Sequence, residues 1–346
     1  MKKILLGFVV AFLFSDPLLA DQLRLRNDLP QTYTVVKGDT LWDISAKFLH
    51  TPWQWPEIWH VNTQVDNPHL IYPGDVLTLT YVDGKPVLMR DSTGRVFKLS
   101  PKARILTADE AIKTIPLDKI NAFLSKSRIV TNEELKLAPY VVSGESQRLI
   151  VAAGDSVYIR GEIEVGHSAF GVYRRGQAYV DPETREKLGI QAINIGSGEI
   201  RRRKNNQEVY TLEIYQTKEE IRVGDRLLRQ EERAVETTFF PSSPTQDING
   251  LILAVEGGLS QVGNLDVVVL NKGRREEIEP GNVLAVYKRG GRIRDRVAGG
   301  MVSLPDERAG LVMVFRVFEK LSLGLVLEAD QGLKVNDRVR NPDVYE

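Results

Sequence analysis

The stretch Tyr33-Thr34-Val35-Val36-Lys37-Gly38-Asp39-Thr40-Leu41-Trp42-Asp43-Ile44 decides how the N-terminal part of this chain is read. Its first four residues are aromatic or mostly β-branched, side chains that fit a half-buried strand. Lys37-Gly38-Asp39 then supplies turn chemistry. Thr40-Leu41-Trp42-Asp43 has the spacing of a capping box, in which a Thr hydroxyl and an acid three residues on satisfy free amides at a helix start. Leu41, Ile44, Phe48 and Leu49 recur at helical spacing, so a helix follows the strand.

Outward from that stretch the pattern completes itself. Pro56 suits a first helical position, and Ile58, Trp59 and Val61 carry a second helix to Asn62. Asn67-Pro68 opens a loop, Tyr72-Pro73-Gly74-Asp75 is a tight turn, and Val76-Leu77-Thr78-Leu79 is a closing strand. The expected order over residues 32–80 is strand, helix, helix, strand.

These residues resemble the LysM family. The likeness runs from Tyr33 through Ile44, from Trp55 through Asn62 and from Asn67 through Leu77, about fifty residues with both halves in the right order. The insertion His50-Thr51-Pro52-Trp53-Gln54 departs from the family pattern without touching either motif loop. The resemblance implies a peptidoglycan-binding unit whose groove lies between the loop after the first strand and the loop after the second helix. Its candidate ligand-binding residues are Gly38, Asp39, Thr40, Leu41, Asn67, Leu70, Ile71 and Tyr72, with Pro68 beside them. The physics agrees: an N-acetylglucosamine-containing glycan is uncharged and rich in hydroxyl and amide groups. It suits a shallow furrow offering backbone polar groups and apolar walls. Each residue also has a plainer role. Gly38 and Gly74 serve turn geometry, Asp39 and Thr40 serve capping, Asn67 serves a turn, and Leu41, Trp42, Ile44 and Leu77 serve the core. A single copy of the motif implies micromolar-to-millimolar binding, roughly −4 to −8 kcal/mol.

The flanks place this unit in a larger exported protein. Lys2 and Lys3, the apolar run Ile4 to Phe14 and the small residue Ala20 read as a signal peptide over residues 1–20. No later stretch is long and apolar enough for a transmembrane helix, so no membrane span is expected after cleavage. The expected location is the periplasm or cell envelope. The chain has 346 residues, 46 Lys+Arg and 46 Asp+Glu, a balance that gives no general attraction to nucleic acid. Segment 81–140 reads as a connector, with turn signals at Asp83-Gly84 and Ser92-Thr93-Gly94.

Beyond Tyr140 the texture is β-rich, and two motifs recur in order. Phe170-Gly171-Val172-Tyr173-Arg174-Arg175-Gly176 is similar to Leu284-Ala285-Val286-Tyr287-Lys288-Arg289-Gly290 at an offset of 114. Ile221-Arg222-Val223-Gly224-Asp225-Arg226-Leu227 is similar to Leu333-Lys334-Val335-Asn336-Asp337-Arg338-Val339 at an offset of 112. An internal duplication is therefore expected, with unit 1 over 141–240 and unit 2 over 245–346, joined near Pro241-Ser242-Ser243-Pro244. The expected fold class is an α+β LysM domain (βααβ) followed by a mainly-β C-terminal region.

Catalysis finds little support. There is no cysteine, which removes Cys nucleophiles and disulfides. Three of the four histidines (His50, His60 and His69) fall inside the first unit, leaving His167 alone in the β-rich part. Glu145-Ser146 lacks the helical setting of a lytic acid, and Arg201-Arg202-Arg203-Lys204 reads as a solvated hairpin tip. The expectation is a non-enzymatic peptidoglycan binder without cofactor or metal, its β-rich part a spacer or a surface for an envelope protein partner. Two alternatives stand beside it: a cell-wall-modifying enzyme with an unrecognised site in the β-rich region, and a structural protein whose first unit has lost sugar binding.

Overall fold

The computed structural model describes residues 23–59, 71–90, 120, 127–147, 151–163, 168–202, 208–229, 239–255 and 262–342. The N-terminal unit contains β1 (Thr32–Thr34), α1 (Leu41–Phe48), a 3-10 turn (Pro52–Gln54), α2 (Trp55–Trp59), β2 (Val76–Val82) and β3 (Lys85–Arg90). Its antiparallel sheet has the order β1-β2-β3. Leu41, Ile44, Phe48 and Leu49 from around α1 pack with Trp55, Ile58 and Trp59 of α2 and with Ile71, Leu77 and Leu88.

One sequence expectation changes here. Residues 81–90 were expected in the connector, yet Asp83-Gly84 turns β2 into β3 and completes the first sheet. The cause is apolar: Val87 and Leu88 are buried on β3. The segment before β1 packs on this unit: Leu25 bridges Leu49, and Leu23, Leu25 and Leu29 lie against the core. In the insertion at 50–54, Thr51, Pro52, Trp53 and Gln54 are all buried, and Trp53 joins the C-terminal region's apolar cluster.

The C-terminal region is mainly β. Its first sheet comprises β4 (Ser127–Val130), β5 (Tyr140–Gly144), β6 (Ser156–Arg160), β7 (Ala169–Val180), β8 (Lys187–Arg202), β9 (Val209–Thr217) and β10 (Arg226–Arg229). The Thr131-capped helix α3 (Asn132–Leu137) follows β4. β4, which falls in the expected connector, pairs with β8, so that connector contributes a strand to the sheet. The order is β4-β8-β7-β10-β5-β6-β9, and because β8 also pairs with β9, the pairing β5-β6-β9-β8-β7-β10 returns on itself.

The second sheet is a closed barrel of β11 (Asn249–Val255), β12 (Val267–Leu270), β13 (Val283–Lys288), β16 (Glu307–Val317), β17 (Ser322–Ala329) and β18 (Arg338–Arg340). A separate ribbon, β14 (Arg292–Arg294) and β15 (Met301–Ser303), interrupts the run between β13 and β16. Around this barrel the order is β11-β12-β17-β16-β13-β18. Counted in chain order, both rings join first strand to second, second to fifth, fifth to fourth, fourth to third, third to sixth and sixth to first. The earlier pair of similar motifs lies on β7 and β13, and the later pair leads into β10 and β18.

One turn recurs at the mouths of these strands. An aspartate accepts a hydrogen bond from the amide three residues before it, at Tyr72/Asp75, Ala152/Asp155, Arg222/Asp225, Gly263/Asp266 and Lys334/Asp337 (2.8–3.0 Å). The residue before each aspartate has positive φ, supplied by Gly74, Gly154, Gly224, Leu265 and Asn336. Two of these aspartates also hold a cation from the third strand of their ring: Asp225 pairs with Arg174, and Asp337 with Lys288.

The parts share an apolar seam. Trp42 and Trp53 belong to one cluster with Ile129, Tyr179, Leu188, Leu321, Leu323 and Leu325. The bend between β7 and β8 locks onto the barrel: Asn271 Nδ2 donates to buried Asp181 (2.7 Å), and Glu186 pairs with Arg275 and Lys320 (2.8 Å each).

Candidate functional site

The site is assembled by two loops that clamp each other through their backbones. Val35 N donates to Asp75 O (2.9 Å), and Gly74 N donates to Val35 O (2.7 Å). The loop after β1 and the loop before β2 therefore lie side by side at the opening of α1.

Within the first loop, Asp39 Oδ2 accepts from Val36 N (2.9 Å) and from the Tyr33 hydroxyl (2.9 Å), closing the turn over Gly38. Gly38 has φ +100°, which a side chain would strain, and a Cβ there would meet nothing within 4 Å. Its outer face is open. Thr40 caps α1: its Oγ1 accepts from Asp43 N (3.1 Å), while Asp43 Oδ2 accepts from Thr40 N (3.1 Å). The helical ladder begins with Ile44 N donating to Thr40 O (3.0 Å), so the amides of Leu41 and Trp42 precede it at the loop.

In the second loop, Asp75 Oδ2 accepts from Tyr72 N (3.0 Å) and lies 3.5 Å from Arg90 Nη1. Gly38, Pro73 and Gly74 are exposed, and Asp39 and Tyr72 are half-buried. Leu41 (2% exposed) and Ile71 (0%) are core residues, so only their backbone can face a ligand. Thr40 is nearly buried by its capping role. The structure thus brings Gly38, Asp39, Thr40 and Leu41 beside Ile71 and Tyr72. Asn67, Pro68 and Leu70 lie outside the described residues.

Sequence reasoning missed Tyr33. Burial and the hydrogen bond to the Asp39 carboxylate push its phenol up to about 12, with the charge of Asp39 adding to the effect. Lys47 lies over the same ring, 5.1 Å from its centre. The only hint in the sequence was an aromatic residue at the strand edge. The arrangement offers backbone polar groups and two half-buried phenols, Tyr33 and Tyr72, with the exposed Lys37 in the turn beside them.

Elsewhere, Arg201 of the basic run pairs with Glu213 (2.8 Å), and residues 203–207 lie outside the described set, as does His167. Among the described residues, no group of three or more His, Asp or Glu is placed to hold a metal ion, and no helix is long and apolar enough to cross a membrane.

Residues 33–80 match the LysM domain family. Over 66 residues the chain is 42% identical to an uncharacterized protein, YqbP, of Bacillus subtilis (strain 168), a match covering 16% of this chain and 30% of that one. The chain therefore spans less than a third of that relative's length. The chain carries a LysM domain, a binding rather than catalytic module, followed by a mainly-β region.

Proposed function

We propose that this protein is a non-catalytic binder of peptidoglycan, exported to the cell envelope, which grips N-acetylglucosamine-containing glycan through its single LysM domain. The observation that carries this reading is the open face over Gly38, set beside Tyr72 by the clamp between Val35 and the Gly74-Asp75 turn. Gly38, Asp39, Thr40, Ile71 and Tyr72 would line the furrow, Leu41 and Ile71 through backbone alone, with Asn67 and Leu70 continuing it. A neutral glycan needs hydrogen-bonding groups held in place and one amphipathic wall.

The β-rich region would space the LysM domain from, or join it to, an envelope protein partner. Of the three acids lining the barrel's open polar hollow, about 370 Å³ in volume, Asp247 is exposed while Glu276 and Glu277 are engaged in local bonds. Glu276 accepts from Gly273 N and from Arg275, and Glu277 accepts from Gln246. We further read the two rings as an internal duplication, supported by their common pairing order and by the Arg174–Asp225 and Lys288–Asp337 pairs at equivalent strands. The residues 1–20 would be the leader that sends the chain to the periplasm.

Isothermal titration of the full chain with soluble N-acetylglucosamine oligomers tests the site. Micromolar-to-millimolar binding, weakened about tenfold by Tyr72→Ala, is expected for loss of one stacking wall, about 1.4 kcal/mol. Unchanged binding by Tyr72→Ala would move the site away from these loops.

A further inference from the structure

Among the described residues, the ribbon between β13 and β16 stands out by its exposure. Every residue of β14 and β15 is exposed, and Val297 at the tip is 98% exposed. Between positions 289 and 304 the sequence carries Arg289, Arg292, Arg294 and Arg296 against a single acid, Asp295. The acid is occupied: Asp295 Oδ1 accepts from Val297 N (2.7 Å) and Ala298 N (3.0 Å), bonds that shape the tip and hold its carboxyl below the usual range. Among the described residues the four guanidinium groups have no ion-pair partner.

The pairing sorts the side chains by face. Arg292 lies opposite Ser303 and Arg294 opposite Met301, while Ile293 and Val302 share the other face. Cations and exposed aliphatics therefore alternate along one projecting arm. The base of the arm is rigid: Leu304 N donates to Gly291 O (2.9 Å), Gly290 N donates to Asp306 Oδ1 (3.0 Å), and Asp306 also holds Arg338 and Arg340.

The first ring offers a contrast at the corresponding place, between its third and fourth strands. The bend of that hairpin carries Asp181, Glu183 and Glu186 and is seated on the barrel through Asn271, Arg275 and Lys320. The second arm has the opposite charge and an aliphatic tip.

We infer that the β14–β15 ribbon docks on an anionic phospholipid surface, its arginines engaging lipid phosphates and Val297, Ile293, Met301 and Val302 entering the headgroup boundary. Guanidinium groups bind phosphate oxygens bidentately, and an apolar edge flanked by cations is the pattern of interfacial insertion. The arm has no aromatic residue on which bases could stack, which disfavours single-stranded nucleic acid.

The test is co-sedimentation of the full chain with vesicles of phosphatidylglycerol and phosphatidylethanolamine, compared with vesicles of phosphatidylcholine alone. Binding to the first and not the second is expected, falling as salt is raised. Arg292→Gln with Arg294→Gln should weaken it about 25-fold, at about fivefold per cation, and Val297→Asp should reduce it further. Both variants should keep the wild-type circular dichroism, because the arm lies outside the barrel ring. Equal binding to both vesicle types, or no loss in either variant, would overturn the inference. So would a wild-type dimer that Val297→Asp converts to monomer with vesicle binding unchanged, which would make the occupant a second copy of the chain.

Discussion

Thr40 fixes where α1 begins, and its environment shows how far local spacing carries. The hydroxyl and Asp43 exchange bonds as the four-residue pattern implied, because a capping box involves only neighbours in sequence. Thr40→Ala should cost about 1 kcal/mol in denaturant unfolding. The Tyr33–Asp39 bond, across six residues, was not legible, since it depends on how the strand hands over to the turn. That bond carries a pH signature. The Tyr33 phenol lies above its ordinary value of 10.0, near 12, so its contribution is whole below pH 10 and disappears as the pH rises through about 12. Alkaline unfolding of the wild type should therefore show a loss of stability in that window that Tyr33→Phe lacks. A Phe variant with the same alkaline loss would assign it to another group. Similarly, the burial of Leu41 and Ile71 places both side chains in the core and leaves only their backbone open to the proposed furrow, a distinction that apolar residue type alone does not make.

At the level of elements, the aspartate turns explain why short strands start where they do. Each turn gathers the amide three residues back, while a residue of positive φ lets the chain reverse into the strand. Gly-Asp and Asn-Asp dipeptides before apolar runs made these turns readable as punctuation. Their geometry was less so, because Leu265 occupies one such position at φ +67° without the usual Gly or Asn. The strand content of the C-terminal region was evident from β-branched runs, whereas ring closure was not: it joins strands far apart in sequence, such as β5 with β10. Asp225 is 4% exposed and receives both Arg174 and the Arg222 amide. Asp225→Ala should cost about 2 kcal/mol, because it leaves the Arg222 amide without its acceptor and takes from Arg174 the buried one of its two carboxylate partners, Glu219 remaining. Urea unfolding checks this, and a loss below 1 kcal/mol would show the turn to be held by other contacts.

Across the whole molecule, the seam between parts is where composition said least. Trp42 and Trp53 join an apolar cluster that includes barrel residues, so the insertion at 50–54 is a joint between the LysM domain and the barrel. Nothing local marks such a joint, because a buried tryptophan reads the same in either core. Asn271 ties the two rings together by donating to Asp181 and accepting from Leu251 N (2.6 Å). Asn271→Ala should lower stability by about 2 kcal/mol through those unsatisfied buried groups and hasten proteolysis between the rings. Identical digestion of variant and wild type would show that the apolar seam alone suffices. Glu186, held below the usual carboxylate range first by Lys320 and then by Arg275, adds an acid-side dependence. Its contribution is complete above the ordinary 4.5 and fades as pH falls through its lowered folded-state value.

The LysM domain's open loops give the molecule its proposed purpose, and one binding experiment addresses them directly. The full chain is spun down with purified peptidoglycan while a soluble N-acetylglucosamine oligomer is added in rising amounts. The protein is expected to pellet with the wall material and to be released by the oligomer. Protein that stays in the supernatant throughout, or that pellets and cannot be displaced, would contradict it.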